Sequence, residues 1–253
     1  MKDKLSISRT DDLKDLLHGG LCSMAFQPIL ELSSEKIYGF EALLRGSNGT
    51  SLPDPDILFN RKGYLDNEIL LRLDMACIGS ALRSGRELAK TNRLFINIHF
   101  STLQCLSLHL DSFLCLLKEL DITPENIVFE ISEKTDLSSA VDVEKYLRDF
   151  VKLGIQVAID DIGGSFIWLH NMLDINPSYL KVDKSFIHDI NTSRRKHALV
   201  QSLHVMSGTM GLHIIAEGIE NPGQLKVLNS IGVTFAQGFW FGKPEAAEKW
   251  LCR

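Results

Sequence analysis

The chain is expected to belong to the α/β class, as a modified TIM-type (β/α)8 barrel with an antiparallel first strand. Three observations lead there. Eight short apolar runs recur along the 253 residues, each with a polar or charged residue at or near its C-terminal end. Most are separated by stretches of helical periodicity, and repeated β-α units with buried strands build a parallel sheet covered by helices. The first two runs are separated only by Glu31–Glu35, too short for a crossover helix, so they must pair antiparallel. The length, with 45% hydrophobic content, suits one closed barrel and does not demand a second large domain. The expected division is a lead-in over 1–20 and one barrel domain over 21–253.

The lead-in carries a short helix at Asp11–Leu17. Strands follow at Cys22–Leu30 and Lys36–Arg45, then a loop over Gly46–Asp56 rich in turn-forming residues. A long helix spans about Asn67–Ser84, with Ile69, Leu70, Leu73, Ala76, Cys77 and Ala81 near one face. Strand Arg93–Phe100 leads to a helical segment across Ser101–Leu120, and strand Asn126–Ile131 to Ser138–Leu153, with serines suited to cap it. Strand Ile155–Asp160 leads to Phe166–Leu173. Strand Tyr179–Val182 leads to one long helix within His188–Met210, starting inside Asp189–Ser193. Strand Leu212–Ala216 leads to Asn221–Ser230, with Pro222 in its first turn. Strand Val233–Gln237 precedes a last helix, Glu245–Cys252.

Composition removes several function classes. A net charge of -5 and a pI near 5.9 argue against a broad basic face for duplex nucleic acid. Bound cations could still reverse the charge locally for a small anion. No apolar stretch approaches a membrane span, and Met1–Thr10 is polar without a secretory core, so membrane insertion is not expected. Five widely spaced cysteines (Cys22, Cys77, Cys105, Cys115, Cys252) without a C-x-x-C pair read as reduced thiols of a cytoplasmic protein.

In a (β/α)8 barrel the chemistry sits at the C-terminal ends of the strands, where the polar residues fall here. Glu41, Asn97, Glu130, Asp160, Asp161 and Glu217 are all oxygen ligands without a His or Cys among them, which favours Mg²⁺ or Mn²⁺ over Zn²⁺. Asp160–Asp161 is the most informative pair. Strand neighbours face opposite sides, so both enter one site only if the chain turns there, and Gly163–Gly164 follow. Crowded carboxylates repel unless cations intervene, and a carboxylate shared by two metals suits in-line attack on a phosphodiester. Lys181 could orient the attacking water or stabilise phosphate charge. Gln237 could position water or ligand, and Arg45 offers a fork for a phosphate oxygen.

The run Glu41-Ala42-Leu43-Leu44-Arg45 resembles the signature of the EAL-domain family, the cyclic di-GMP phosphodiesterases. The resemblance extends from Phe26-Gln27-Pro28-Ile29 to Gln237-Gly238-Phe239-Trp240-Phe241. It passes through Asn97-Ile98-His99-Phe100-Ser101, Glu130-Ile131-Ser132-Glu133, Ile159-Asp160-Asp161, Leu180-Lys181-Val182-Asp183 and Ala216-Glu217-Gly218. It implies hydrolysis of cyclic di-GMP to linear pGpG with two Mg²⁺ or Mn²⁺ ions. By the same resemblance Glu41, Asn97, Glu130 and Asp160 ligate one metal, and Asp160, Asp161 and Glu217 the second. Lys181 engages the attacking water, and Gln237 lies near the catalytic centre with Glu41 and Glu217. Gln27, Leu43 and Arg45 contact substrate, and Glu133 steadies the loop after the Asp pair.

Two departures accompany the match. The loop after Asp161 has Gly164, Ile167 and Trp168 where active members carry Thr and Ser, and the segment after Arg45 lacks a frequent aromatic residue and a common Ala-Glu pair. An alternative reading follows: a weak or inactive cyclic di-GMP receptor, or a protein-binding regulator; hydrolysis of another phosphodiester is a third. The residues before the barrel are too few for a sensor or receiver segment, so control is expected through a regulatory protein partner, expression or dimerisation. A homodimer follows only by family analogy.

Overall fold

The computed structural model describes residues 23–45, 67–132, 140–163, 169, 173 and 175–252, and among them eight strands close into one barrel in sequence order. The strands are β1 (Ser23–Glu31), β2 (Lys36–Arg45), β3 (Arg93–Asn97), β4 (Ile127–Ser132), β5 (Gln156–Ile162), β6 (Tyr179–Val182), β7 (His213–Ala216) and β8 (Phe235–Gln237). All neighbours from β2 to β8 pair parallel. β1 runs antiparallel to both β2 and β8, as the short Glu31–Glu35 connection requires. The expected lead-in helix, the Gly46–Asp56 loop, the caps Ser138 and Ser139, and most of Phe166–Leu173 lie outside the described residues.

The helices are α1 (Asn67–Gly85), α2 (Phe100–Leu108), α3 (Leu110–Glu119), α4 (Ala140–Lys152), α5 (Lys184–Ile187), α6 (Arg194–Thr209), α7 (Pro222–Ile231) and α8 (Ala247–Leu251). α1 turns Leu73, Cys77, Ile78, Ala81 and Leu82 inward at 3.6-residue spacing. Three expectations are corrected. Strand β3 stops at Asn97, and Phe100 already opens α2. The single segment expected over Ser101–Leu120 is two helices bent by 89° at His109. The bend lets Leu103 and Leu106, then Phe113 and Leu117, all bury in one cluster. The long helix expected within His188–Met210 begins only at Arg194, because the Ser193 side chain caps it by accepting from the Lys196 amide. α7 carries the reciprocal Asn221–Gln224 capping box around Pro222. Among the described residues no single helix is long and apolar enough to cross a membrane, although the bent α2–α3 pair passes that test jointly by composition.

Apolar side chains form two layers. Phe26, Phe40, Leu94, Phe129, Phe150, Trp250 and their neighbours fill the space between strands and helices. Ile29, Phe95, Val128, Ala158, Tyr179, Ile215 and Phe235 fill the barrel interior. Gly39 makes that interior layer possible: a Cβ there would lie 2.8 Å from the Phe95 ring and 2.7 Å from the Arg93 carbonyl oxygen. Towards the strand starts, Tyr38 and Tyr179 share a hydroxyl hydrogen bond, Gln156 accepts from Tyr179 and Arg93, and the Arg93 guanidinium sits 4.8 Å from the Tyr38 ring centroid. That end is closed.

Candidate active site

Side chains two residues apart on a strand share a face. One step along each parallel strand from the interior layer, Phe95 is followed by Asn97, Val128 by Glu130, Ala158 by Asp160, Tyr179 by Lys181, Ile215 by Glu217 and Phe235 by Gln237. Gly39 is followed in the same way by Glu41. β1 runs the other way, so its contribution comes two residues before Ile29, at Gln27, which pairs directly with Glu41. Gln27 and Glu41 therefore sit mid-strand rather than at strand ends. The alternation that packs the barrel thus also builds a polar layer above it.

Lys181 stands in the middle of that layer at 1% exposure. Its Nζ lies 2.8 Å from Glu130 Oε1, 3.0 Å from Asp160 Oδ1, 3.0 Å from Glu217 Oε1 and 3.3 Å from Glu41 Oε2. Burial alone would lower its pKa, but the charges of Asp160, Glu130, Glu217 and Glu41 overcome that and raise it well above the usual lysine value. It is a fixed cation. Burial lifts Glu130 well above the carboxylate range, and like charges on Glu41 and Asp160 add to it against Lys181. Burial likewise pushes Glu217 up to about 8, with Asp160 and Glu41 adding to the effect and Lys181 opposing it.

Asp160 and Asp161 both enter the site, and Asp161 is itself part of the irregularity that brings this about. Gly163–Gly164 were expected to turn the chain. Gly163 lies in a turn with φ 151°, and Gly164 is outside the described residues; Asp161 also takes the left-handed conformation, φ 60°, and the β5–β6 register shifts between Ile159 and Ile162. The bulge spends one residue to bring a second carboxylate round to the same side. Two sets of ligand oxygens result, Glu41–Glu130–Asp160 and Asp160–Asp161–Glu217, each within 4.8 Å of one another and sharing Asp160.

Comparison with known proteins identifies the arrangement. The EAL domain family model matches residues 10–244. The chain belongs to the EAL domain family. This EAL domain is 26% identical to the signaling protein YkoW of Bacillus subtilis over 98% of its own length and 31% of that protein's. It is 24% identical to the cyclic di-GMP phosphodiesterase RocR of Pseudomonas aeruginosa, covering 98% of this chain and 64% of RocR. It thus spans less than two thirds of either relative. Among solved structures, BlrP1 of Klebsiella pneumoniae in a manganese and cyclic di-GMP complex matches with a TM-score of 0.80 at 26% identity, covering 91% of this chain and 57% of that one.

The donor chemistry of this EAL domain fits divalent cations. The two ligand sets offer only hard oxygens. Glu130 Oε2 is buried with no hydrogen-bond donor among the described residues, while Glu130 Oε1 and Asp160 Oδ1 lie 2.8 Å and 3.0 Å from Lys181 Nζ. A buried carboxylate oxygen left so is costly without a cation. Four carboxylates share the one Lys181 ammonium, which cannot offset the charge of all of them.

The other expected residues fall into place unevenly. Asn97 is exposed at the mouth with Nδ2 3.5 Å from Glu41 Oε1. Gln237 is buried and donates to Glu41 Oε2 at 2.6 Å. Leu43 and Arg45 follow Glu41 along one face of β2, Leu43 half-buried and Arg45 exposed, its Nη1 donating to the Leu44 carbonyl. Gln27 is only 7% exposed and hydrogen-bonded at both ends of its amide. Glu133 and the Gly164–Trp168 loop lie outside the described residues.

One positioning group was missed. Asp74, 3% exposed on the inward face of α1, accepts from the His99 amide at 2.9 Å and so caps α2 two residues after Asn97. His99, the N-cap residue, makes no side-chain cap of its own. Burial raises the Asp74 pKa. The available signal was an acid within an apolar helical face.

Proposed function

We propose that this EAL domain is a phosphodiesterase that hydrolyses one bond of cyclic di-GMP to give linear pGpG, with two Mg²⁺ or Mn²⁺ ions. The observation that supports it most is the pair of oxygen sets joined through Asp160 and flanked by Lys181. Glu41, Asn97, Glu130 and Asp160 would hold one ion, and Asp160, Asp161 and Glu217 the other. When bound, the ions supply an activated water and neutralise charge on the phosphate.

In the metal-free site the surrounding carboxylates raise the Lys181 pKa and favour its protonated form, which suits it to donate. It would hold the attacking water by a hydrogen bond and offer positive charge to the phosphoryl oxygens. Gln237 fixes Glu41. Arg45 presents a fork to a phosphate oxygen, and Leu43 an apolar edge to a base. Phe239 and Trp240, exposed directly after β8 at the same end of the barrel, offer ring faces to a purine.

Incubating wild type and Glu41→Ala with cyclic di-GMP and Mg²⁺ or Mn²⁺ tests the proposal by the pGpG formed. Wild type should turn over only with metal and Glu41→Ala should lose it; no pGpG from wild type with either ion contradicts the reading. The receptor reading draws on the loop sequence at Gly164–Trp168, and calorimetry discriminates, since tight nucleotide binding without turnover belongs to a receptor. A cytoplasmic location, read from the unpaired cysteines, a regulatory protein partner, and a homodimer by family analogy also belong to the proposal.

A further inference from the structure

Resting on the two-metal reading, we propose that Gln224 is a positioning residue for Glu217, acting through the main chain of the turn that joins β7 to α7. Glu217 differs from the other proposed ligands in one respect. Glu41, Asn97, Glu130, Asp160 and Asp161 all lie within strands, whereas β7 ends at Ala216 and α7 begins at Pro222. The Glu217 amide still donates to the Val182 carbonyl at 3.1 Å, but the paired registers on both sides of β7 end at Ala216. The direction of the Glu217 side chain is therefore set by the turn that follows it.

Gln224 anchors the far end of that turn. It is 1% exposed, and its Oε1 accepts from the Glu220 amide at 2.8 Å and from the Asn221 amide at 3.1 Å. Its Nε2 donates to the Ile187 carbonyl at 3.4 Å, at the end of α5, the short helix that follows the strand of Lys181. No titrating group is needed to fix this amide. Two N–H groups meet its oxygen and a carbonyl faces its nitrogen, so a flip would set donors against donors and oxygen against oxygen. A side chain without that oxygen would leave both backbone donors facing apolar atoms.

The middle of the turn is held from the other side. Ile219 is fully buried; its amide donates to the Gln237 carbonyl at 3.1 Å, and its carbonyl accepts from the Trp240 amide at 2.9 Å. Gly218, at φ 72°, has no room for a Cβ, which would overlap that of Lys184. Held only at Ile219, the turn would pivot about that residue and carry Glu217 with it. Gln224 fixes the second point. The side chain that completes the capping box of α7 thereby keeps the Glu217 carboxylate beside Asp160 and Asp161.

The test follows Mn²⁺ binding by calorimetry and electron paramagnetic resonance in wild type, Gln224→Met and Gln224→Glu, with near-UV circular dichroism to check folding. Glu217 belongs to the second ligand set alone. Gln224→Met should therefore weaken the second ion about tenfold, as losses of ligand-orienting partners do, and leave the first unchanged. Its spin-coupled signal should give way to that of a single ion at Mn²⁺ concentrations where wild type holds two. Gln224→Glu keeps an oxygen for both amides, as a capping box allows, and should restore the second ion. If Gln224→Met does not fold, Gln224→Asn, which stays polar but is too short to reach, carries the same expectation. Unchanged binding of both ions in the folded variant, equal weakening of both, or a Gln224→Glu that behaves like Gln224→Met overturns the positioning role and leaves the two-metal reading standing. A folded wild type that binds fewer than two Mn²⁺ ions overturns both.

Discussion

Lys181 is an almost fully buried ammonium touching four carboxylates, and no single pair among them explains its stability there. Removing a charge from water costs several kcal/mol, and a lone partner often fails to offset it. Here the excess is negative, so the lysine is held strongly while the acids stay frustrated. Lys181→Met should therefore destabilise the metal-free protein by roughly 3 kcal/mol in denaturant unfolding, as breaking buried ion pairs does. It should also lower kcat at least about 10²-fold, the usual loss when a positioned donor to the reacting group disappears. A variant that keeps its stability and kcat would show that the lysine merely fills space. Taken alone in the sequence, this residue had nothing to distinguish it from a surface lysine; its position one step beyond Tyr179 on the inward face of β6 did.

The bulge at Asp161 and the bare inward position at Gly39 show how elements prepare the site. Gly39→Ala would drive a methyl into the Phe95 ring and the Arg93 carbonyl. It should cost about 1–3 kcal/mol by overpacking, read as a lower melting temperature, and weaken activity through the displaced Glu41 two residues on. Asp161→Asn keeps a residue tolerant of the left-handed conformation, whereas Asp161→Val does not. Asn should thus lose metal affinity with near-normal stability, and Val should lose both; equal stability in the two contradicts the strain argument. The strands were legible because alternation and terminal polarity repeat with each unit, and the antiparallel pair because Glu31–Glu35 is so short. The α2–α3 bend was not, since no Pro or Gly marks His109 and both halves are apolar. The left-handed Asp161 was not legible, because Gly163–Gly164 is a stronger local turn signal than an aspartate. Gln27 was legible only as a polar residue at the end of a run, since its direction of approach depends on which way β1 points.

For the molecule as a whole, closing the barrel forces the acids together, and folding stability becomes linked to pH and metal. A carboxyl whose folded pKa exceeds its unfolded value holds its proton more tightly when folded, so stability falls as pH rises between the two. For Glu217 that window runs from the ordinary 4.5 to about 8, and Glu130 shifts the same way. The metal-free protein should accordingly melt at lower temperature as pH rises through that window. Saturating Mg²⁺ or Mn²⁺ should remove the decline and add about 2.7 kcal/mol for each ion at a hundred times its dissociation constant. A flat profile without metal would mean that the acids are relieved some other way. The most direct test is the Mn²⁺ stoichiometry of wild type and Asp160→Asn, followed by electron paramagnetic resonance. Two ions per chain with a spin-coupled signal, both weakened by Asp160→Asn, are expected from the shared carboxylate. One ion per chain, or two that respond independently of Asp160, would contradict it.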